Sequence, residues 1–303
     1  VSAVQRVLAC VAGVVLLGAL VGCSSSGRGS SQSTVGGGGD QVLTFGSDST
    51  SAASGAGAGG GGATRTSNGV TSAAPTVGGG GGTTGGNPSG VDPRGPVGSY
   101  APVYLTAAGS SQLVVDISAQ AGVAPRQASI DHLVQTLGTV TGKAVSTHTA
   151  PTVAGGARSW TADELRALAN AGLPQGNGVA VLRMVFVHGT FGNDTSVLGV
   201  TVEADLAAVF VDQVAASGSA LVSPDRIEEA VVTHEAGHLL GLVDLYLHTG
   251  RQDPQHPGHS TNPGSVMYWA VESNLVRDLL SGGPPVDFDG ADLGDLATIR
   301  NGG

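Results

Sequence analysis

His234-Glu235-Ala236-Gly237-His238 sets two imidazoles four residues apart with a carboxylate beside the first. In an α-helix four residues turn through about 400°, so both rings project from one face, about 6 Å apart along the axis. That spacing lets two ring nitrogens reach one zinc ion at about 2.0–2.1 Å. Glu235 lies about 100° round from His234, where it can sit beside the metal and hold the metal's water without ligating. Gly241 follows His238 by three residues, and Asp244 follows Gly241 by three more. A glycine there turns the chain sharply off the helix, so a residue three further on can reach the same metal. A carboxylate oxygen is an acceptable zinc ligand, and Asp244 is the expected third one. His248 is its nearest substitute, and His256 and His259, in a Pro/Gly-rich loop, could also fold back.

The helix under these residues has a well-marked start. Ser223 suits the N-cap, Pro224 the first position, and Asp225 the positive end of the helix dipole. Ile227, Ala230 and Val231 carry it forward to His234, and Gly241 should end it. Ahead of it, residues 112–118 read as a strand. Residues 124–141 hold Ile130, Leu133, Val134 and Leu137 at helical spacing. Residues 143–147 read as a second strand. Thr161 to Glu164 form a capping box that runs into Leu165, Leu168 and Ala169. Residues 179–187 are apolar apart from Arg183, and residues 197–202 and 207–211 are two further strands. Strands and helices in this order predict an α+β domain, with a twisted mixed five-stranded sheet against the histidine-bearing helix.

The string HEAGHLLGLVD resembles the metzincin signature HExxHxxGxxH, with Asp244 at the third ligand position. The aspartate form resembles the snapalysin-type bacterial proteases. Asn262-Pro263-Gly264-Ser265-Val266-Met267-Tyr268 follows after a loop, and Asn-Pro-Gly signals a turn. Taken alone, Met267 reads as core filler. Beside HEAGHLLGLVD it resembles the metzincin Met-turn, with the Val-Met-Tyr order of the matrixin version. Further on, residues 287–296 are rich in aspartate and lead into Ala297, Thr298 and Ile299. A helix N-cap by Asp289 or Asp292 accounts for them, and the segment resembles the last helix of matrixins. A structural Ca2+ loop is the competing reading, although Pro285 stands where a first calcium ligand belongs.

The resemblance implies a metzincin-like zincin domain with active-site and C-terminal helices. It implies Zn2+ held by His234, His238 and Asp244 above Met267, and hydrolysis of peptide bonds with Glu235 as general base. An extended peptide would lie along an edge strand, here near residues 197–202. The other expectations are a zinc-binding lipoprotein without catalysis, serving in binding or adhesion, and a zinc hydrolase of cell-wall peptides. His132 and His148 read as surface or packing residues.

The remainder of the chain sets the context. Arg6 precedes an apolar run over residues 7–21, long enough for a signal-peptide core and short for a membrane span of roughly 20 residues. It ends in Leu20-Val21-Gly22-Cys23, which resembles the bacterial lipobox and implies acylation of Cys23. Residues 1–22 are therefore expected to be a lipoprotein signal peptide. Roughly a third of residues 24–99 are glycine, and most others are Ser, Thr, Ala or Pro. Nothing there offsets the cost of ordering the backbone, about 1–2 kcal/mol per residue, so residues 23–99 read as a disordered tether. That leaves residues 100–303 as the catalytic domain, anchored on the outer face of the cell membrane. The chain carries a formal net charge of −10, which excludes a basic nucleic-acid footprint. Its two cysteines, Cys10 and Cys23, exclude a disulfide scaffold or a cysteine-ligated zinc.

Overall fold

The apolar run Val179–Val187 forms β4, the middle strand of a five-stranded sheet with order β2-β1-β4-β7-β6. Here β1 is Gln112–Ala119, β2 Ala144–Thr149, β6 Gly199–Glu203 and β7 Leu206–Phe210. All neighbours run parallel except β6, which turns back antiparallel to β7 and ends the sheet. The structure is a computed structural model that describes residues 90–176, 178–276, 280 and 282–303. The expected signal peptide, Cys23 and the tether up to residue 89 lie outside the described residues. Among these, no helix is long and apolar enough to cross a membrane.

Side chains alternate across the strands, so one sheet carries two apolar faces. Ala180, Leu182, Met184 and Phe186 of β4 join the larger core, whereas Val185 and Val187 point to the smaller one. The larger core is closed by α1 (Ala101–Leu105), α2 (Gln127–Thr141), α5 (Pro224–Leu239) and α6 (Gly290–Arg300). The smaller core is closed by α3 (Ala162–Ala169), where Thr161 and Glu164 form the expected capping box. The mixed five-stranded sheet with α5 and a C-terminal helix is the α+β architecture read from the sequence.

Several elements had no clear sequence signal. Besides α1, these are α4 (Val211–Ser217) and a parallel pair of short strands, β3 (Arg158–Trp160) and β5 (Gly189–Phe191). Val211, read as a strand residue, begins α4 because β7 stops at Phe210.

The amino-terminal edge of the domain also differs. Residues 90–99, assigned to the tether by composition, pack on the fold. Val91 rests against the larger core, and Ala204 N donates to Gly95 O at 3.1 Å. Gly98, at φ +80°, lies so close to α5's exit that an added Cβ would be 2.8 Å from Leu245 Cβ and 3.1 Å from Gly241 Cα. Glycine there serves close packing rather than looseness.

Candidate metal centre

Helix α5 begins as the sequence indicates, with Ser223 capping Arg226 N and Pro224 in the first turn. It packs against α2, α4, β6 and β7, so even its polar residues Glu228, Thr233, His234 and Glu235 are buried. Charged and polar groups are rarely buried without a partner or a task. Glu228 has its partner, since its carboxylate accepts from Arg126 N at 2.7 Å. His234, Glu235 and His238 face a different environment.

His234 Nδ1 lies 2.7 Å from Val266 O. A carbonyl only accepts, so Nδ1 carries the proton and Nε2 offers its lone pair. His238 Nε2 is 3.0 Å from that Nε2. His259 completes a triad of rings. Its plane lies 23° from His234's at 5.2 Å between centroids, and His238 stands nearly perpendicular to both, at 84° and 87°. Glu272 Oε2 reaches within 3.5 Å of His234 Nε2, and Oε1 within 2.9 Å of His259 Nε2. The four potential ligand atoms all lie within 4.8 Å of one another.

This arrangement suits a tetrahedral zinc. With ligands at about 2.0–2.1 Å, the edge between ligand atoms is about 3.3–3.4 Å, close to the separations found. His259 Nε2 is buried in the cluster without an aligned hydrogen bond, despite its nearness to Glu272. Burial first, then the neighbouring His234 and His259, hold the His238 pKa well below the usual imidazole range. His238 is therefore neutral, as a ligand must be. Burial would raise Glu272's pKa, but the adjoining His259 and His234 outweigh it and keep it a carboxylate.

The structure does not bring Asp244 to this cluster. Gly241, at φ +80°, turns the chain off the helix, but Val243 and Asp244 then adopt left-handed φ of 53° and 67°. The Asp244 side chain swings toward the following loop. Its Oδ1 accepts from Thr249 N at 2.8 Å, Thr249 Oγ1 at 2.6 Å and Gly250 N at 3.1 Å. Its Oδ2 accepts from Gln252 N at 3.3 Å. Burial acts to raise its pKa, but these four donors pull it below the usual carboxylate value. Asp244 thus ties down the loop that carries His259. His248 does not enter the cluster either and lies against Asp244 O, while His256 pairs with Asp253 and stacks on Trp269.

His259 is positioned by pairing at longer range. Asp253 N donates to His259 O at 2.7 Å, Gln252 bridges Ser260, and Ser260 N donates to Met267 O at 2.8 Å. The possibility that this loop folds back was visible from its histidines, but nothing local set it above Asp244. Glu272 ends the short 3-10 helix Trp269–Glu272 and carried no signal at all. Its backbone is fixed where the chain enters β6. Leu198 N donates to Glu272 O and Asn274 N to Ser196 O, both at 2.8 Å.

Two glycines set the clearances. A Cβ on Gly237 would meet Met267 Sδ at 2.2 Å, so Met267 fits against the helix only because residue 237 has no side chain. Gly237→Ala is expected to push Met267 aside. Overpacking of this kind costs about 1–3 kcal/mol. A lowered thermal midpoint together with weaker zinc binding would be measured; a variant matching wild type in both would refute this packing. On the other side, a Cβ on Gly199 would meet Glu235 Oε1 at 2.5 Å.

Met267 is itself held from the carboxy-terminal side. Its N–H donates to Ser265 Oγ at 2.9 Å, and Ser265 Oγ donates to Asp292 Oδ2 at 2.6 Å. Asp289 caps α6 by accepting from Ala291 N and Asp292 N, and Asn262 Nδ2 donates to it at 2.8 Å. Asp289 and Asp292, the two aspartates read as a helix cap, therefore spend their oxygens on the backbone and the turn.

Glu235 lies outside the group of four clustered ligand residues. Its Oε2 accepts from Thr201 Oγ1 of β6 at 2.7 Å, and its buried Oε1 has no hydrogen-bond partner. Burial, reinforced by the charge of Glu272, pushes its pKa up to about 8, against the opposing pull of His234 and Thr201. A cleft opens beside the cluster, lined by Val97, Val200, Thr201, His238, His259 and Glu272 among others.

No family model matches the chain, and no curated protein matches it. Among solved structures it is similar to archaemetzincin from Methanopyrus kandleri. That likeness has a TM-score of 0.43 and 17% identity, and covers 62% of this chain and 96% of the other. A second archaemetzincin, from Archaeoglobus fulgidus and complexed with malonate, has a TM-score of 0.38 and 16% identity. It covers 61% of this chain and 99% of that one.

Proposed function

We propose that the chain is a zinc-dependent endopeptidase whose metal is held by His234, His238 and His259, with Glu235 as general base. The observation that carries this reading is the buried meeting of three imidazole nitrogens beside a carboxylate with an unpartnered oxygen. Zinc bound there would polarise a peptide carbonyl and make water acidic enough to ionise near neutrality.

The remaining chemistry belongs to the chain. Thr201 fixes one oxygen of Glu235, which leaves Oε1 to take a proton from the attacking water and pass it to the leaving amine. A carboxyl poised near neutral pH suits both transfers. His234 keeps one orientation and one tautomer through Val266 O, as histidine ligands generally do. β6 ends the sheet, and its Val200 and Thr201 line the cleft, so an extended peptide has a strand edge beside the cluster. The Leu20-Val21-Gly22-Cys23 string and the Gly-rich stretch after it support export and a lipid anchor at Cys23.

Metal analysis and casein zymography of the purified full chain test this. Stoichiometric zinc, cleavage lost to a chelator and cleavage restored by zinc are expected. Stoichiometric zinc without cleavage of any casein would turn the assignment toward a binding protein, and digestion of muropeptides alone toward a cell-wall hydrolase.

A further inference from the structure

A peptidase centre of three histidines has no need of Glu272, and yet its carboxylate sits among them. Both oxygens face ring nitrogens, Oε2 at 3.5 Å from His234 and Oε1 at 2.9 Å from His259. The backbone aims it there, because Glu272 O and the neighbouring Asn274 N are hydrogen-bonded to the chain that leads into β6. Four protein ligands close a zinc site in the manner of structural centres, whereas catalytic ones keep a position open. Glu235 argues against a permanently closed centre: a buried carboxylate with a free oxygen is costly to keep and serves no purpose unless a substrate reaches the metal.

The cluster is also uneven. The three rings are almost fully buried, while the Glu272 side chain is 25% exposed and lines the cleft with Val200 and Thr201. Glutamate has a flexible stem where imidazole is rigid, so it is the member able to leave. We propose that Glu272 is a displaceable fourth ligand, which closes the zinc in the resting protein and is driven off when a peptide lies along β6. It rests on the peptidase reading above. The consequence is an enzyme whose metal is shielded until a substrate with enough strand contact to β6 competes for the position. Extended segments would be cleaved in preference to small or compact ones.

The test uses the full chain as wild type, Glu272→Ala and Glu272→Gln, the last keeping side-chain volume in case alanine disturbs folding. Each is loaded with Co2+ for its visible spectrum. Zinc affinity is measured by chelator competition, and KM and kcat on an extended peptide. The wild type is expected to show the intense absorption of a four-coordinate cobalt site, and both variants a changed one. Loss of even an outer partner of a ligand costs 10- to 100-fold in affinity, so zinc Kd should rise at least about tenfold in both. KM should fall severalfold, because no carboxylate has to be displaced. Unchanged spectra and Kd in both variants, or an unchanged KM with altered spectra, would overturn the proposal. No metal in the wild type would overturn it together with the peptidase reading. Bound metal and altered spectra without hydrolysis by any of the three would end that reading and the displacement, and leave Glu272 as a fixed ligand.

Discussion

His259→Ala should weaken zinc binding by well over 100-fold, and Asp244→Asn by about tenfold. The order reverses what HEAGHLLGLVD alone suggests. Removing an imidazole from the cluster deletes a ligand, and losses beyond those for an outer partner, 10- to 100-fold, are expected. Asp244 instead gathers Thr249, Gly250 and Gln252 beneath the loop that delivers His259. Asparagine keeps its shape but turns one accepting oxygen into a donor facing N–H groups. Stranding such donors costs about 1–3 kcal/mol in stability. Zinc affinity would fall only as the loop loosens. Chelator-competition titrations on both variants, with thermal unfolding in parallel, decide the matter. A larger loss of affinity in Asp244→Asn than in His259→Ala would restore Asp244 as the ligand.

Glu235→Gln should abolish hydrolysis and leave the metal in place. A positioned proton carrier contributes about 10²–10⁴-fold in rate, so no more than about one part in a hundred of the activity should survive its loss. The same substitution has a signature without metal. The folded carboxyl of Glu235 titrates near 8, against an ordinary value of 4.5. Between those values the folded state holds more protons than the unfolded one, so this group makes folding less favourable as pH rises. Glutamine carries no such burden. In chelator, Glu235→Gln should therefore gain stability over wild type as pH climbs from 4.5 to 8. The gain at the alkaline end should be on the order of 4 kcal/mol. Comparing the two proteins at each pH cancels the opposite trend from neutral His238, which makes the fold less stable as pH falls below the ordinary imidazole value. A pH-independent difference between them would refute the buried, protonated Glu235.

Local signals carried much of this architecture. Ser223, Pro224 and the Ile227–Ala230–Val231 stripe announce α5, and the unbroken apolar run of β4 announces a strand buried on both faces. Thr161 and Glu164 announce α3. What stayed hidden depends on pairing across the chain. β3 and β5 are three residues each and exist only by pairing with one another. Asp244 stands at the right distance from His238, but two consecutive left-handed residues direct it into its own loop, and no residue type there requires that conformation. His259 arrives through the Gln252–Ser260 bridge and Ser260's bond to Met267, and Glu272 through the segment before β6. The glycines before Tyr100 mislead for a related reason: a residue without a side chain serves a loose coil and a tight contact equally well.

The relay from Asp292 through Ser265 to Met267 makes the last helix part of the centre's foundation, since Val266 beside Met267 supplies the carbonyl that orients His234. Removing the Asp292 carboxylate should therefore loosen the carbonyl under His234, far along the chain from HEAGH.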